Sequence, residues 1–351
     1  MPTAQHEHAR HAAAPPPGRR AWSIVFVVFG LFALVVLGVA AVTMITLTSS
    51  FDAVEKIPDA FPTDEAARPP EATGQAASAL NFLLLGSDTR GASSSSIANI
   101  GGQRSDTIVI VHVPADREHL SVMSIPRDSW LEIPGHGEAK INAALAYGGV
   151  PLAVQTVEGV IGARIDHVAV VDFAGFKAVT DALGGVDIDN PIAFDSYHLK
   201  GHSFPQGVQH LDGEQALAFA RERYAFSDGD FQRVRNQQLL ISALLSGLMH
   251  KSVLANPVTM GGVIQAVQPH VAVDDGLTTG DLGMLAAQLS GLRSEDVQFF
   301  TIPTTGTGTS ADGQSIVNLD WAALPGVQEA FRADAVETVA VPPQLQVQAA
   351  G

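Results

Sequence analysis

The sequence predicts an α/β protein, a sheet covered by helices on both faces, and three observations carry that prediction. First, the runs at 81–86 ("NFLLLG"), 107–113 ("TIVIVHV") and 120–126 ("LSVMSIP") are rich in Val, Ile and Leu, the composition of strands. Second, helical patterns at 141–147, 151–161, 173–182, 213–221 and 230–249 interleave with further short strands near 167–171, 186–188 and 297–302, an alternation that covers both faces of a sheet. Third, the short "PADREH" link between the second and third strands makes the first three an antiparallel meander.

The chain has 351 residues and a formal net charge of -16. Such a surface repels nucleic acid and anionic lipid, and the chain lacks a basic recognition helix, so no nucleic-acid partner is expected. With no cysteine, disulfides, thiolate metal sites and a thiol nucleophile are excluded. No charged residue occurs between Arg20 and Asp52, an apolar stretch long enough to cross a bilayer as a helix. Arg10, Arg19 and Arg20 precede it, and the positive-inside rule places them in the cytoplasm.

The expected organisation is therefore a disordered cytoplasmic tail over 1–20, a single transmembrane helix over 21–48 and an extracytoplasmic Pro/Ala-rich linker over 49–79. A folded domain over 80–333 and a tail over 334–351 complete it. The competing reading of the N-terminus is a cleaved signal peptide with a small-residue site at Val39–Ala41, although the apolar run continues past it.

In the meander, the end of strand one, the start of strand two and the end of strand three share one edge of the sheet. Asp88, Asp106 and Arg127 stand there, at "GSDTR", "RSDT" and "SIPRD". Two neighbouring carboxylates repel unless a cation sits between them or one is protonated. A few oxygen ligands suit Mg²⁺, with Mn²⁺ the alternative, and such ions take their remaining ligands from water and phosphate. The competing reading makes both aspartates turn or capping residues.

Downstream, Arg221 and Arg223 are two apart and cannot share a helix face, whereas an extended segment at the helix end would point both the same way. Arg233 and Gln237 share one face of the next helix. Arg90, Arg104, Arg127, Arg221, Arg223, Arg233 and Arg235 fall in three short segments of an acidic chain. Guanidinium forks beside a carboxylate pair are what a pyrophosphate site needs, although an arginine run by itself is commonly a solvated face. Neither a Gly-x-Ser-x-Gly elbow nor a phosphate-binding Lys-Ser/Thr loop is present.

Six ordered pieces carry a resemblance: "NFLLLGSDTR", "RSDTIVIVHV", "LSVMSIPRDSWLEIPGHGEAKINAALAYGG", "LGGVDIDNP", "LDGEQALAFARERY" and "GDFQRVRNQQ". Together, from about 80 to 250, they resemble the LytR-CpsA-Psr (LCP) family of cell-wall ligases. The resemblance implies a three-layer α-β-α fold with a central mixed, largely antiparallel sheet and an apolar tunnel for a polyprenyl tail, preceded by one membrane helix. It also implies an extracytoplasmic phosphotransferase that moves a glycopolymer, with its linking phosphate, from a polyprenyl-pyrophosphate carrier to peptidoglycan. The cargoes known for the family are wall teichoic acid, capsule and arabinogalactan.

By position, Asp88 and Asp106 would hold Mg²⁺, with Asp88, Asp106 and Arg127 as the catalytic set. Arg127, Arg221, Arg223 and Gln237 would bind pyrophosphate, with Arg104, Lys140, Asn142 and Arg233 as further candidates. Lys140 and Asn142 have an equal reading as residues that shape a helix start. Relatives often carry Arg-Gln-Gln where this chain has Asn236-Gln237-Gln238, which leaves the role of position 236 open. Rival functions are a lipid-pyrophosphate hydrolase and a carrier-binding assembly protein without turnover.

Overall fold

In the computed structural model, residues 53–87, 104–226, 229–249, 257–339 and 346–347 are described. All belong to one compact unit, Leu47–Gly351. The segments expected as cytoplasmic tail and membrane helix, and Asp88 and Arg90, lie outside the described residues. The one described helix long and apolar enough to cross a membrane is Ala143–Ile161, and its Leu145, Val154, Val157 and Ile161 are buried in the core.

The meander forms as expected. Strand Leu80–Ser87 pairs antiparallel with Ser105–Val113, which pairs antiparallel with Leu120–Ile125. Around it, eight strands make one mixed sheet in the order Glu55–Ile57, Val271–Asp274, His167–Asp172, Leu80–Ser87, Ser105–Val113, Leu120–Ile125, Val297–Thr301, Gln346–Val347. Four ladders are antiparallel, and three are parallel.

Side chains alternate across a strand, and here both faces are apolar. Leu83, Leu85, Ile108, Ile110 and Met123 pack with helices Ala143–Ile161 and Leu324–Arg332. Phe82, Leu84, Val109 and Val122 face Ile241 and Leu245 of helix Gly229–Met249 and Leu285 of helix Thr279–Gln288. The result is the three-layer arrangement, helices on both sides of the sheet. Gly148 and Gly149 interrupt helix Ala143–Ile161, Gly149 at a φ of 65° ahead of Pro151, so the two helical segments expected over 141–147 and 151–161 are stacked across a kink.

Two boundaries differ from expectation. The segment read as a spacer supplies edge strand Glu55–Ile57, parallel to Val271–Asp274, and buries Val54, Ile57 and Ala60. Pro/Ala/acidic composition resembles a linker, but these few apolar side chains are enough to anchor it against an otherwise open sheet edge. Further along, the Arg68 guanidinium donates to Glu158 Oε1 at 2.6 Å and to Ile165 O at 3.0 Å, and the hydrogen-bonded Glu158 holds the Arg68 pKa above its ordinary value. The expected C-terminal tail is likewise engaged: Asp334 accepts from His112 and from the Ala115 amide, Val336 is buried, and Gln346–Val347 closes the far sheet edge.

Arg68→Ala would leave Glu158, 1% exposed, as a buried charge without its guanidinium. The expected cost is about 3 kcal/mol, read as a lower urea midpoint at unchanged slope; a spacer outside the fold would give no change.

Candidate active site

At the edge where the meander strands begin and end, the ladder carries a β-bulge. Gly86 is opposite Thr107 but Ser87 is opposite Ser105, so Asp106 is the extra residue. A bulge re-aims a side chain and ends regular pairing. Gly86 is required there, because a Cβ on it would come within 2.8 Å of the Thr107 side chain. Ser105 Oγ, fully buried, fastens the bulge by donating to Thr107 O at 2.7 Å.

Asp106 accepts a hydrogen bond from Arg127 Nη1, which brings together two of the three groups expected at this edge. Arg127 Nε also lies 3.5 Å from Asp128. Asp128, which the sequence reasoning did not single out although it stands in the quoted "SIPRD", is the hub of the cluster. Its carboxylate is 3.0 Å from Lys140 Nζ and 4.0 Å from Arg233 Nη2, and it is 8% exposed. Asp128 O accepts from the Val317 amide at 2.9 Å, so four chain segments meet at this residue. Asn142 stands beside the cluster: its amide donates to Arg127 O at 3.2 Å, and its buried Oδ1 has no hydrogen-bond partner. It precedes helix Ala143–Ile161 without a side-chain capping bond, so the helix-start reading is supported by position alone.

Helix Gly213–Arg221 brings in the next pair. It opens on a capping box made by Asp212 and Gln215 and closes at Glu222, whose backbone is extended. Glu222 is fully buried, and Arg221 and Arg223 on either side of it are half-buried. Glu222 fixes the turn by accepting from the amides of Tyr197, Arg223 and Tyr224 at 2.7 to 3.0 Å. The Arg221 guanidinium stacks on Phe173, 4.6 Å from the ring centre. Arg223 donates to the Tyr224 hydroxyl at 2.7 Å. That bond, and then the charges of Arg223, Arg127 and Arg233, hold the Tyr224 phenol pKa below its usual value.

Arg221 and Gln237 line a narrow apolar crevice with Thr107, Phe173, Phe176 and Ile241. Position 236 proves structural: the buried Asn236 accepts from Gln232 and donates to Phe219 O at 3.0 Å, tying the two helices together. Arg235 donates to Gln232. Gln238, also missed from sequence, donates to Ser124 and Thr301 at 3.1 Å and holds the helix on the sheet. Arg104 is exposed, one residue before the bulged strand.

Among the described residues, no group of three or more His, Asp or Glu could hold a metal ion. Asp128 is shared by three cations and Asp106 by Arg127 alone, so Asp106 is the less engaged of the two described carboxylates at this edge. Strand Leu80–Ser87 ends one residue before Asp88. Hard carboxylate oxygens in so small a number fit Mg²⁺ or Mn²⁺, ions that keep water and phosphate ligands, and do not fit a closed all-protein cage.

Fold and site thus define a three-layer α/β protein with a cation cluster at the edge of its meander. The chain belongs to the LytR_cpsA_psr family, whose model matches residues 44–332. It is 37% identical over 193 residues to the polyisoprenyl-teichoic acid–peptidoglycan teichoic acid transferase TagU of Bacillus mycoides (strain KBAB4), covering 55% of this chain and 59% of that protein. The matched region therefore spans less than two thirds of this relative. Among solved structures, it is similar to B. subtilis TagV, with a TM-score of 0.62, 27% identity and 73% and 97% of the two chains covered. It is also similar to a structure of TagT bound to LI-WTA, with a TM-score of 0.59, 25% identity and coverage of 78% and 98%.

Asp128→Asn removes the counter-charge shared by Arg127, Lys140 and Arg233. Stability measured by urea unfolding should fall by about 2 kcal/mol. Asp106→Asn, which leaves Asp128 in place, should cost less; the reverse order would show that Asp128 is not the hub.

Proposed function

We propose that this protein is an extracytoplasmic phosphotransferase that moves a glycopolymer with its linking phosphate from a polyprenyl-pyrophosphate carrier to peptidoglycan. The observation that carries the reading is the junction of two unlike surfaces at Arg221 and Gln237. On one side lie Asp106, Arg127, Lys140 and Arg233; on the other is the apolar crevice. Ile241 belongs both to the crevice lining and to the half-buried apolar layer with Phe82, Leu84 and Val111. An anionic group on the cations beside an apolar segment at the mouth of the crevice, a cavity of about 20 Å³, suits that junction. The Bacillus mycoides relative TagU, a polyisoprenyl-teichoic acid–peptidoglycan teichoic acid transferase, has the same substrate classes.

Arg127 and Arg221 bind and orient the pyrophosphate, with Arg223, Arg233, Lys140 and Arg104 adding positive charge around it. Asn142 and Gln237 supply neutral polar groups at its border. A peptidoglycan hydroxyl attacks the glycan-side phosphorus, a new P–O bond forms, and the bond to the bridging oxygen breaks as polyprenyl phosphate leaves. The hydroxyl proton passes to a carboxylate, Asp88 in this reading. Phosphoryl transfer needs mostly positioning and charge neutralisation, which suits a site built from arginines. A Mg²⁺ ion, with Mn²⁺ the alternative, would be held by Asp88 and Asp106 and would neutralise charge on the phosphates. The apolar segment 21–48 anchors the chain in the membrane as a single pass, with the tail 1–20 cytoplasmic and the folded domain outside.

The test incubates the full chain in detergent with a polyprenyl-pyrophosphate-linked oligosaccharide and peptidoglycan strands, with Mg²⁺ or with chelator. Polyprenyl phosphate release and phosphate-linked glycan on the acceptor are expected with metal. Both should be lost in Asp106→Ala with the circular dichroism spectrum retained, and Arg221→Ala should bind the carrier roughly tenfold or more weakly. Release without acceptor modification would identify a hydrolase; tight binding without release, a carrier-binding protein.

A further inference from the structure

Among the described α-helices, Thr279–Gln288 is the one that buries no residue. Leu282 and Leu285, with Leu289 and Leu292 just beyond its end, are only half-buried, and Met284 is 57% exposed. Ala286 and Ala287 are exposed beside it. Leu and Met are among the residue types most often fully buried, so an uncovered group of them on one helix is informative. Fraying does not account for it, because the helix starts on a reciprocal capping box of Thr278 and Asp281, with Thr278 Oγ1 donating to Asp281 at 2.6 Å.

The charge pattern sets this stretch apart from the rest of an acidic chain. Between Lys251 and Arg293 the only charged side chains are Asp274, Asp275 and Asp281. Asp274 is buried and accepts from the amides of Val168 and Leu277, and Asp281 is engaged in the cap. From Leu282 to Leu292 there is no charge at all. Such a surface is unfavourable in water and favourable at the boundary between lipid headgroups and acyl chains.

The segment that follows the apolar stretch 21–48 is fastened to this same part of the domain. Ala53 O accepts from Gln268 Nε2 at 3.0 Å, and Lys56 Nζ donates to Leu277 O at 2.7 Å. Val54 is buried in one cluster with Val273, Leu277 and, from the helix itself, Leu282. Residues 49–54 follow the apolar stretch, and six residues span at most about 20 Å. An anchor in the bilayer therefore holds Val54, and the helix packed on it, close to the lipid surface.

We propose that helix Thr279–Gln288 is a membrane-contact surface that rests on the outer leaflet, with Met284 at the boundary between headgroups and acyl chains. The proposal rests on the membrane-anchor reading above and adds an orientation to it: the helix face of the domain is turned to the lipid, and helix Leu324–Arg332, on the opposite face of the sheet, is turned away. With no Lys or Arg in the contact, the attraction is apolar and does not depend on anionic lipid.

Because the chain has no cysteine, a single introduced one reports a single position. Met284→Cys and Glu329→Cys, the second on the exposed side of helix Leu324–Arg332, are labelled with an environment-sensitive fluorophore in the full chain. Each is placed in phosphatidylcholine nanodiscs with and without a nitroxide on the acyl chains. Emission from position 284 should shift to the blue on reconstitution and fall by about half or more with the nitroxide, while position 329 should do neither. No quenching at 284, or equal quenching at both positions, would overturn the contact. A blue shift at 284 that grows with protein concentration in detergent, without quenching by the lipid nitroxide, would assign the surface to a second copy of the chain and overturn it as well. A chain that does not co-elute with nanodiscs would sink the anchor reading and this proposal with it, whereas an unquenched label on a co-eluting chain sinks the proposal alone.

Discussion

The buried carboxylate of Asp128 is the constraint on which the site depends. It is shared by Arg127 at the end of a meander strand, Lys140 at the end of a hairpin and Arg233 on a helix across the sheet. Three cations at such close quarters would repel, and the repulsion is offset by placing one anion among them, shielded from water. Its backbone carbonyl also joins the four-stranded sheet that includes strand Ser315–Leu319. Cationic side chains that serve an anionic ligand must stay assembled before the ligand arrives, and Asp128 provides that preorganisation.

A second buried carboxylate does the same for the neighbouring segment. Glu222 between two arginines fixes the extended stretch that ends a helix by satisfying three backbone amides. Carboxylates buried on charged or amide partners are costly to desolvate and strongly geometry-selective. In this chain they fix the positions of the arginines beside them. The acidic net charge and the local cation cluster are compatible for the same reason: the cluster is assembled by internal anions and set at one sheet edge.

Much of this was legible in the sequence. The meander, the interleaved helices and the meeting of Asp106 with Arg127 follow from apolar periodicity and from the short connection between two strands. What was not legible is equally physical. Residues 53–79 and 334–347 have the composition of linkers, and a few buried side chains against open sheet edges make parts of them structure. Asp128, Glu222, Asn236 and Gln238 stand inside the quoted pieces, but their roles were not legible there, because each also acts through a partner remote in the chain.

By itself, the sequence determined the strand and helix segments and their order, the antiparallel start of the sheet and which residue types stand at its edge. Those are consequences of local propensity, pattern and loop length, which act over a few residues. Only the tertiary structure decided that one aspartate gathers three cations and that position 236 ties two helices together. Each depends on contacts between residues remote in sequence, and such contacts come into being only when the sheet has brought its edges and helices together.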